Sequence, residues 1–300
     1  MQANRFSPLG ACLVAVLIAG CAVIFPGCET KEQAREPGGT AHNKDAAAGT
    51  GGTETAVDGG GSSGGAEKMK FGSVELTGLV TVMGRPKAIE PVNISEKIDC
   101  VKQREAAGLG VLNPEALVIG AEGGLKDCVV FIKKLPGRRY NAKDMVSYGH
   151  PEKVVINQQG CQYVPHVFTL HKDQEVVIKN SDPFLHNVSI PKLKVNLSMP
   201  NIQEERRKKF FKKSEVYACA CSVHPWMNAY AYVVQTPFFS KTGEDGKFTI
   251  GKLPDADGEY TVEVWHETVR RLKAPKPQKI TVKDKAVVEG NIVFQFTYKG

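Results

Sequence analysis

The stretch "CSVHPWMNAY", Cys221 to Tyr230, decides the reading of this chain. It sets a thiol, an imidazole and a thioether at Cys-x2-His-x2-Met spacing, immediately ahead of the strand-like run "NAYAYVVQT". If Cys221 ends one strand and Met227 begins the next, the turn between them presents three side chains to one point. Upstream, "NSDPFLHNVSI" places His186 after a turn and at the start of another strand. The run "YVPHVFTLHKDQEVVIKN" supplies paired strands to hold it. Two imidazoles, one thiolate and a weak thioether suit copper, because thiolate favours Cu(I), imidazole suits both oxidation states, and a long axial sulfur tunes the potential. Zinc would favour four strong ligands and gain little from a methionine. His186, Cys221, His224 and Met227 are therefore the candidate ligands of one type 1 copper. The competing reading is a sandwich of the same kind that holds no metal.

Outward from this loop the chain reads as all-β after residue 70. Apolar and β-branched runs recur, among them "SVELTGLVTVMG", "DCVVFIKKL", "KFTIGKL", "EYTVEVWHE" and "NIVFQFTY", separated by Gly, Pro, Asp and Asn turn signals such as "EDGK" and "DADG". Helical patterns between strands, which a parallel α/β sheet needs, are lacking. Two stretches read as short helices, around Lys102–Leu109 and Ile202–Lys213. The expected organisation is an N-terminal β region over 70–149, a compact sandwich over 150–236 and a small β module over 237–300. The first and last parts are each small for an independent core, which favours their packing together.

The first residues read as an export signal over 1–20. Arg5 precedes the apolar run "ACLVAVLIAG", which is too short to span a bilayer and ends in small residues before Cys21. That pattern resembles the bacterial lipobox, in which the cysteine is lipidated; Cys28, in "FPGC", is a second candidate. Residues 21–69 are Gly-rich and polar, a flexible tether between lipid and folded part. The chain is thus expected outside the cytoplasm, in the periplasm or cell envelope, held to a membrane by its anchor. The net charge of +7 gathers in "EERRKKFFKK" (204–213) and "RRLKAPKPQK" (270–279). These stretches read as solvated faces, or as docking sites for an acidic protein or anionic lipid. No nucleic-acid motif accompanies them.

The residues from 154 to 236 resemble a cupredoxin, with a ligand loop spaced as in amicyanins. The resemblance implies a Greek-key β-sandwich, one copper and electron transfer. It assigns the first histidine ligand to His186 and the tie between ligand loops to Asn187. Cys221 takes the place of the thiolate, His224 of the second, more exposed histidine, and Met227 of the axial ligand. "YVP" at Tyr163–Pro165 matches the segment that opens the cupredoxin core. "GCQYVPHVFTL", "HPWMNAYAYVVQTPFF", "GEDGKFTIGKLP" and "EYTVEVWHE" resemble a bacterial family described as methylamine-utilisation-like or carboxypeptidase-regulatory-like. That resemblance implies a fold for the last module and no defined reaction.

Cys100, Cys128, Cys161 and Cys219 remain for disulfides, with three connectivities open. Cys100–Cys161 is favoured, because both lie in loop-like contexts; Cys219 is a core thiol or a partner of Cys128. His166 is a candidate outer donor to the site, or a structural histidine. Pro225 removes an N–H beside the thiolate. Trp226, with Pro225 and Tyr163, forms a candidate apolar docking patch, or caps the sandwich end. The leading expectation is a tethered electron carrier with a redox protein partner, an acidic cytochrome among the candidates. Copper handling and a surface interaction module are the alternatives. An enzyme is not expected, since seven histidines without a His-x-His pair leave no second copper centre.

Overall fold

The computed structural model describes residues 71–299, apart from 85, 88, 136–139, 269–270 and 289–291. The signal at 1–20, the lipidation candidates Cys21 and Cys28, and the tether at 21–69 lie outside the described residues. In chain order the strands begin with β1 (Val74–Met83), β2 (Val129–Lys134), β3 (Lys153–Gln158), β4 (Tyr163–Val164), β5 (Val167–His171) and β6 (Glu175–Asn180). They continue with β7 (His186–Ile190), β8 (Val195–Met199), β9 (Glu204–Lys208), β10 (Val216–Ala220), β11 (Asn228–Val234) and β12 (Phe239–Lys241). β13 (Lys247–Leu253), β14 (Gly258–Trp265), β15 (Leu272–Lys273), β16 (Gln278–Lys283), β17 (Ala286–Val287) and β18 (Ile292–Tyr298) complete the set. Helices α1 (Ile98–Ala106) and α2 (Ala142–Tyr148) interrupt them.

These strands form two sandwiches. The central one stacks the sheet β5-β11-β10-β7-β8 on the sheet β4-β3-β6-β9. Its core draws Ile156, Val176 and Ile178 from one sheet, and Leu170, Val188, Tyr217 and Ala231 from the other. The second sandwich stacks β13-β1-β18-β15 on β12-β2-β14-β16-β17. The N-terminal β region and the C-terminal module are thus one body, not two neighbours. β1 lies between β13 and β18, pairing parallel to β18 with Val80 opposite Phe294. Alternation explains the core: β13 and β18 bury every second residue over most of their length, and Ile250, Phe294 and Phe296 are fully enclosed.

Both helix expectations change. The first helix begins at Ile98, earlier than expected, and ends at Ala106. The stretch expected as a second helix contains β9, an edge strand antiparallel to β6. Its charges pair as a strand pairs them: Arg206 Nε donates to Glu204 at 2.8 Å and Arg207 Nε to Glu205 at 2.8 Å, two residues apart on one face. A row of charges also suits an exposed sheet edge. Sequence reading missed α2, although Asn141 and Asp144 form its capping box.

The sandwiches meet through Tyr230 and Tyr232, whose rings lie 5.8 and 5.3 Å from Trp265, and through Phe131 against Tyr232 at 5.2 Å. His166, the candidate outer donor, belongs to this junction. Its Nε2 contacts Glu267 Oε1, and Nδ1 lies 3.1 Å from the Asn228 carbonyl. Burial opposes its protonation, but Glu267 with Glu115 and Asp127 outweighs burial and raises its pKa, while His266 faces the same cluster. A histidine whose folded pKa is raised stabilises fully below its unfolded value, about pH 6.5, and loses that contribution as pH rises through the folded pKa. The denaturation gap between wild type and Glu267→Gln should therefore be widest below about pH 6.5 and close at alkaline pH. A gap independent of pH would show that the pair contributes no ionic attraction.

Candidate metal centre

β10 ends at Ala220 and β11 starts at Asn228, so the loop 221–227 closes one end of the central sandwich. Two backbone hydrogen bonds fix its shape: Cys221 N–H donates to the Met227 carbonyl at 3.1 Å, and Met227 N–H to the His224 carbonyl at 2.9 Å. His186 opens β7 on the adjacent strand. The ligand atoms of His186, Cys221 and His224 all lie within 4.8 Å of one another. Nδ1 of His186 is 3.0 Å from Nδ1 of His224, which is 3.9 Å from Cys221 Sγ. Met227 is buried at the loop's end.

Asn187 ties the two segments together. Its Oδ1 accepts the Ser222 N–H at 2.7 Å and lies 3.3 Å from Cys221 Sγ. Its Nδ2 donates to Asn196 Oδ1 at 2.6 Å and to Ser222 Oγ at 3.2 Å. Burial pushes the Cys221 thiol up, but hydrogen bonds from His186 and His224 and from the backbone at Asn187 and His224 outweigh it and hold the group at about 5. Cys221 is therefore a thiolate at neutral pH, ready to bind a soft metal. His186 shows the opposite balance: burial lowers its pKa, yet Asp182 and Cys221 raise it overall. The set fits copper, with two imidazole nitrogens and one sulfur in a buried site.

Other expected residues fall elsewhere. Cys100 and Cys161 are joined by a disulfide. Cys128 and Cys219 are not paired with each other: they are free thiols in the cores of different sandwiches. Burial pushes Cys219 up to about 12 and Cys128 up as well, so neither competes as a thiolate ligand. His224 is not the exposed histidine that the resemblance implies; only 6% of it is accessible. The reason is the start of α1 with the two residues before it: Glu96 to Cys100 line a cleft together with Phe184, Leu185, Val223 and His224. Tyr163 is fully buried, its hydroxyl bonded to the Asn187 carbonyl, and so contributes to no docking patch. Trp226 is half-buried, its indole N–H donating to the Cys161 carbonyl at 3.1 Å, while Pro225 is exposed. The accessible apolar surface beside His224 is instead Ile98, Leu185 and Val223. Two of these sit next to a candidate ligand in sequence, which is the signal that could have found them.

Fold and site together define a β-sandwich protein with a buried His2Cys cluster at one end. No family model and no curated protein matches the chain. Among solved structures it is similar to a copper-containing nitrite reductase (NirK) from Thermus scotoductus SA-01. That likeness has 19% identity over 35% of this chain and 25% of the other, with a TM-score of 0.25. It is similar to amicyanin from Paracoccus versutus at 18% identity, over 35% of this chain and 97% of that one, with a TM-score of 0.25. A purple cupredoxin from Nitrosopumilus maritimus matches at 21% identity, over 27% of this chain and 99% of that one, with a TM-score of 0.24. The chain thus spans a quarter of the nitrite reductase's length. At these scores the likeness carries no argument, and the sandwich is read from its own sheets. No helix of the described residues is long and apolar enough to cross a membrane.

Proposed function

We propose that the chain is an exported, lipid-anchored type 1 copper protein that carries single electrons. The observation that carries this reading is the convergence of the ligand atoms of His186, Cys221 and His224 in a buried cluster. Copper held there supplies a one-electron couple between Cu(I) and Cu(II). His186 and His224 are the imidazole donors, Cys221 the thiolate and Met227 the axial sulfur. Asn187 locks the two ligand segments, so the donors keep their places whichever oxidation state is bound. Electrons pass through the edge of His224, between Ile98, Leu185 and Val223.

The partner in this reading is a redox protein with an acidic face, such as a cytochrome. The exposed lysines of 208–213 lie at the end of the sandwich away from the loop 221–227, beside Val176 and Asp173, so they steer an acidic partner at long range rather than contact it at the metal. Cys21 carries the lipid that holds the chain to a membrane of the cell envelope. A carrier is favoured over an enzyme because every cluster of potential metal ligands among the described residues contains His186 or His224.

The test is copper loading of the full chain, followed by a visible spectrum and voltammetry. An intense thiolate-to-copper band with reversible one-electron redox is the expected result. Stoichiometric Cu(I) binding without that band would point to copper handling, and no binding to a surface interaction module.

A further inference from the structure

Behind the cluster, on the side away from the loop, lies a carboxylate with no access to solvent. Asp182 is 0% exposed, and its Oδ2 is 2.9 Å from Nε2 of His186. Its oxygens also accept two backbone amides, Gly160 N–H at 2.7 Å and Cys161 N–H at 2.9 Å. Its own N–H donates to Asn180 Oδ1 at 3.0 Å. Asn180 in turn donates to the carbonyls of Phe184 and Met199, both at 2.9 Å. A buried anion persists where its lone pairs are met by donors, and here three donors converge on one carboxylate.

The two amides point at Asp182 because Gly160 and Cys161 both have left-handed backbones, φ +61° and +56°. Position 160 favours glycine: its backbone is left-handed, and a Cβ there would lie 2.4 Å from the end of the Leu109 side chain, which would have to move. The loop is clamped from outside the sandwich by α1. The Cys100–Cys161 disulfide bonds the helix to it. Arg104 places all five of its donors, on the Gly160 carbonyl and Gln162 Oε1, both at 2.8 Å, and on the carbonyls of Leu109, Gly110 and Val111.

We infer that Asp182 is a positioning residue of the metal centre, fixing the His186 ring with its proton on Nε2 and its Nδ1 turned to the metal, and that α1 acts on the centre through it. The inference rests on the copper reading above. An imidazole that donates to a carboxylate is a more basic ligand, and it favours the more highly charged ion. Asp182 therefore stabilises Cu(II) more than Cu(I).

The experiment compares wild type with Asp182→Asn and Asp182→Glu, all full-length and copper-loaded, with folding checked by circular dichroism. In Asp182→Asn, Cu(II) affinity should fall roughly 10–100-fold, with a smaller loss for Cu(I). A tenfold difference between the two ions raises the potential by about 59 mV. Asp182→Glu, which keeps the charge, should recover part of both. A second measurement needs no variant: proton NMR of the wild-type Cu(I) form should show the His186 Nε2–H in slow exchange with water. Rapid exchange of that proton, or unchanged affinities and potential in a folded Asp182→Asn, would overturn the inference while leaving the copper reading intact. Failure of the wild type to bind copper would instead remove the copper reading.

Discussion

In the copper reading, Cys221→Ser should remove the intense visible band of the copper-loaded chain entirely and leave Cu(II) bound weakly or not at all. The argument starts from the thiolate. Cys221 is held at about 5 because the ligand histidines and two backbone hydrogen bonds compensate a burial that would otherwise keep it protonated. A serine hydroxyl in the same place stays protonated at every accessible pH, so the metal loses its one anionic donor. The remaining imidazoles of His186 and His224 are neutral ligands with no low-energy charge transfer to Cu(II). Met227→Leu should behave differently: a weak axial donor is lost, so the band persists and the potential rises. The spectra and voltammograms of the two variants separate the roles. A Cys221→Ser chain that kept the band would show that the metal sits elsewhere, and among the described residues Cys219 would be the other free thiol of the same core.

How much of this was legible in the sequence depends on the reach of each interaction. The candidate ligand loop was readable because its residues sit within a few positions of strands whose alternation marks their ends, and His186 could be placed by the same logic, whereas Asn187 entered only through the resemblance to cupredoxins. The strands β1 and β18 were also readable singly. Their parallel pairing was not, since it joins residues 78–83 to 292–297 and leaves no local trace. The charged edge strand β9 was read as a helix because "EERRKK" satisfies helical propensity, and only the open edge of β6 decides otherwise. The burial of His224 was invisible because the covering segment, 96–100, lies far away in sequence. Arg104 carried no signal at all: four of its five bonds go to backbone carbonyls, which any sequence supplies. Asp182 stood in view within "NSDPFLH", four residues before the ligand, but its role depends on the amides of a loop around Gly160.

The largest stability effect belongs to the disulfide. Cys100 and Cys161 are 61 residues apart, and closing a loop of that length removes about 4 kcal/mol of chain entropy from the unfolded state in the polymer account. The copper-free double variant Cys100→Ser/Cys161→Ser should therefore unfold at a lower guanidinium midpoint, by an amount corresponding to about 4 kcal/mol. The whole effect appears in global unfolding only if α1 stays docked until the core opens. Arg104 provides for that, since undocking would strip five hydrogen bonds from a guanidinium that is only 4% exposed. Hydrogen exchange on the α1 amides reads the alternative directly: in the wild type they should open only with the core, and in the double variant somewhat earlier. Dithiothreitol added to the wild type should reproduce the variant's midpoint. A midpoint that ignores both reductant and substitution would show that Arg104 alone holds the helix, and that the covalent link contributes nothing beyond the contacts it spans.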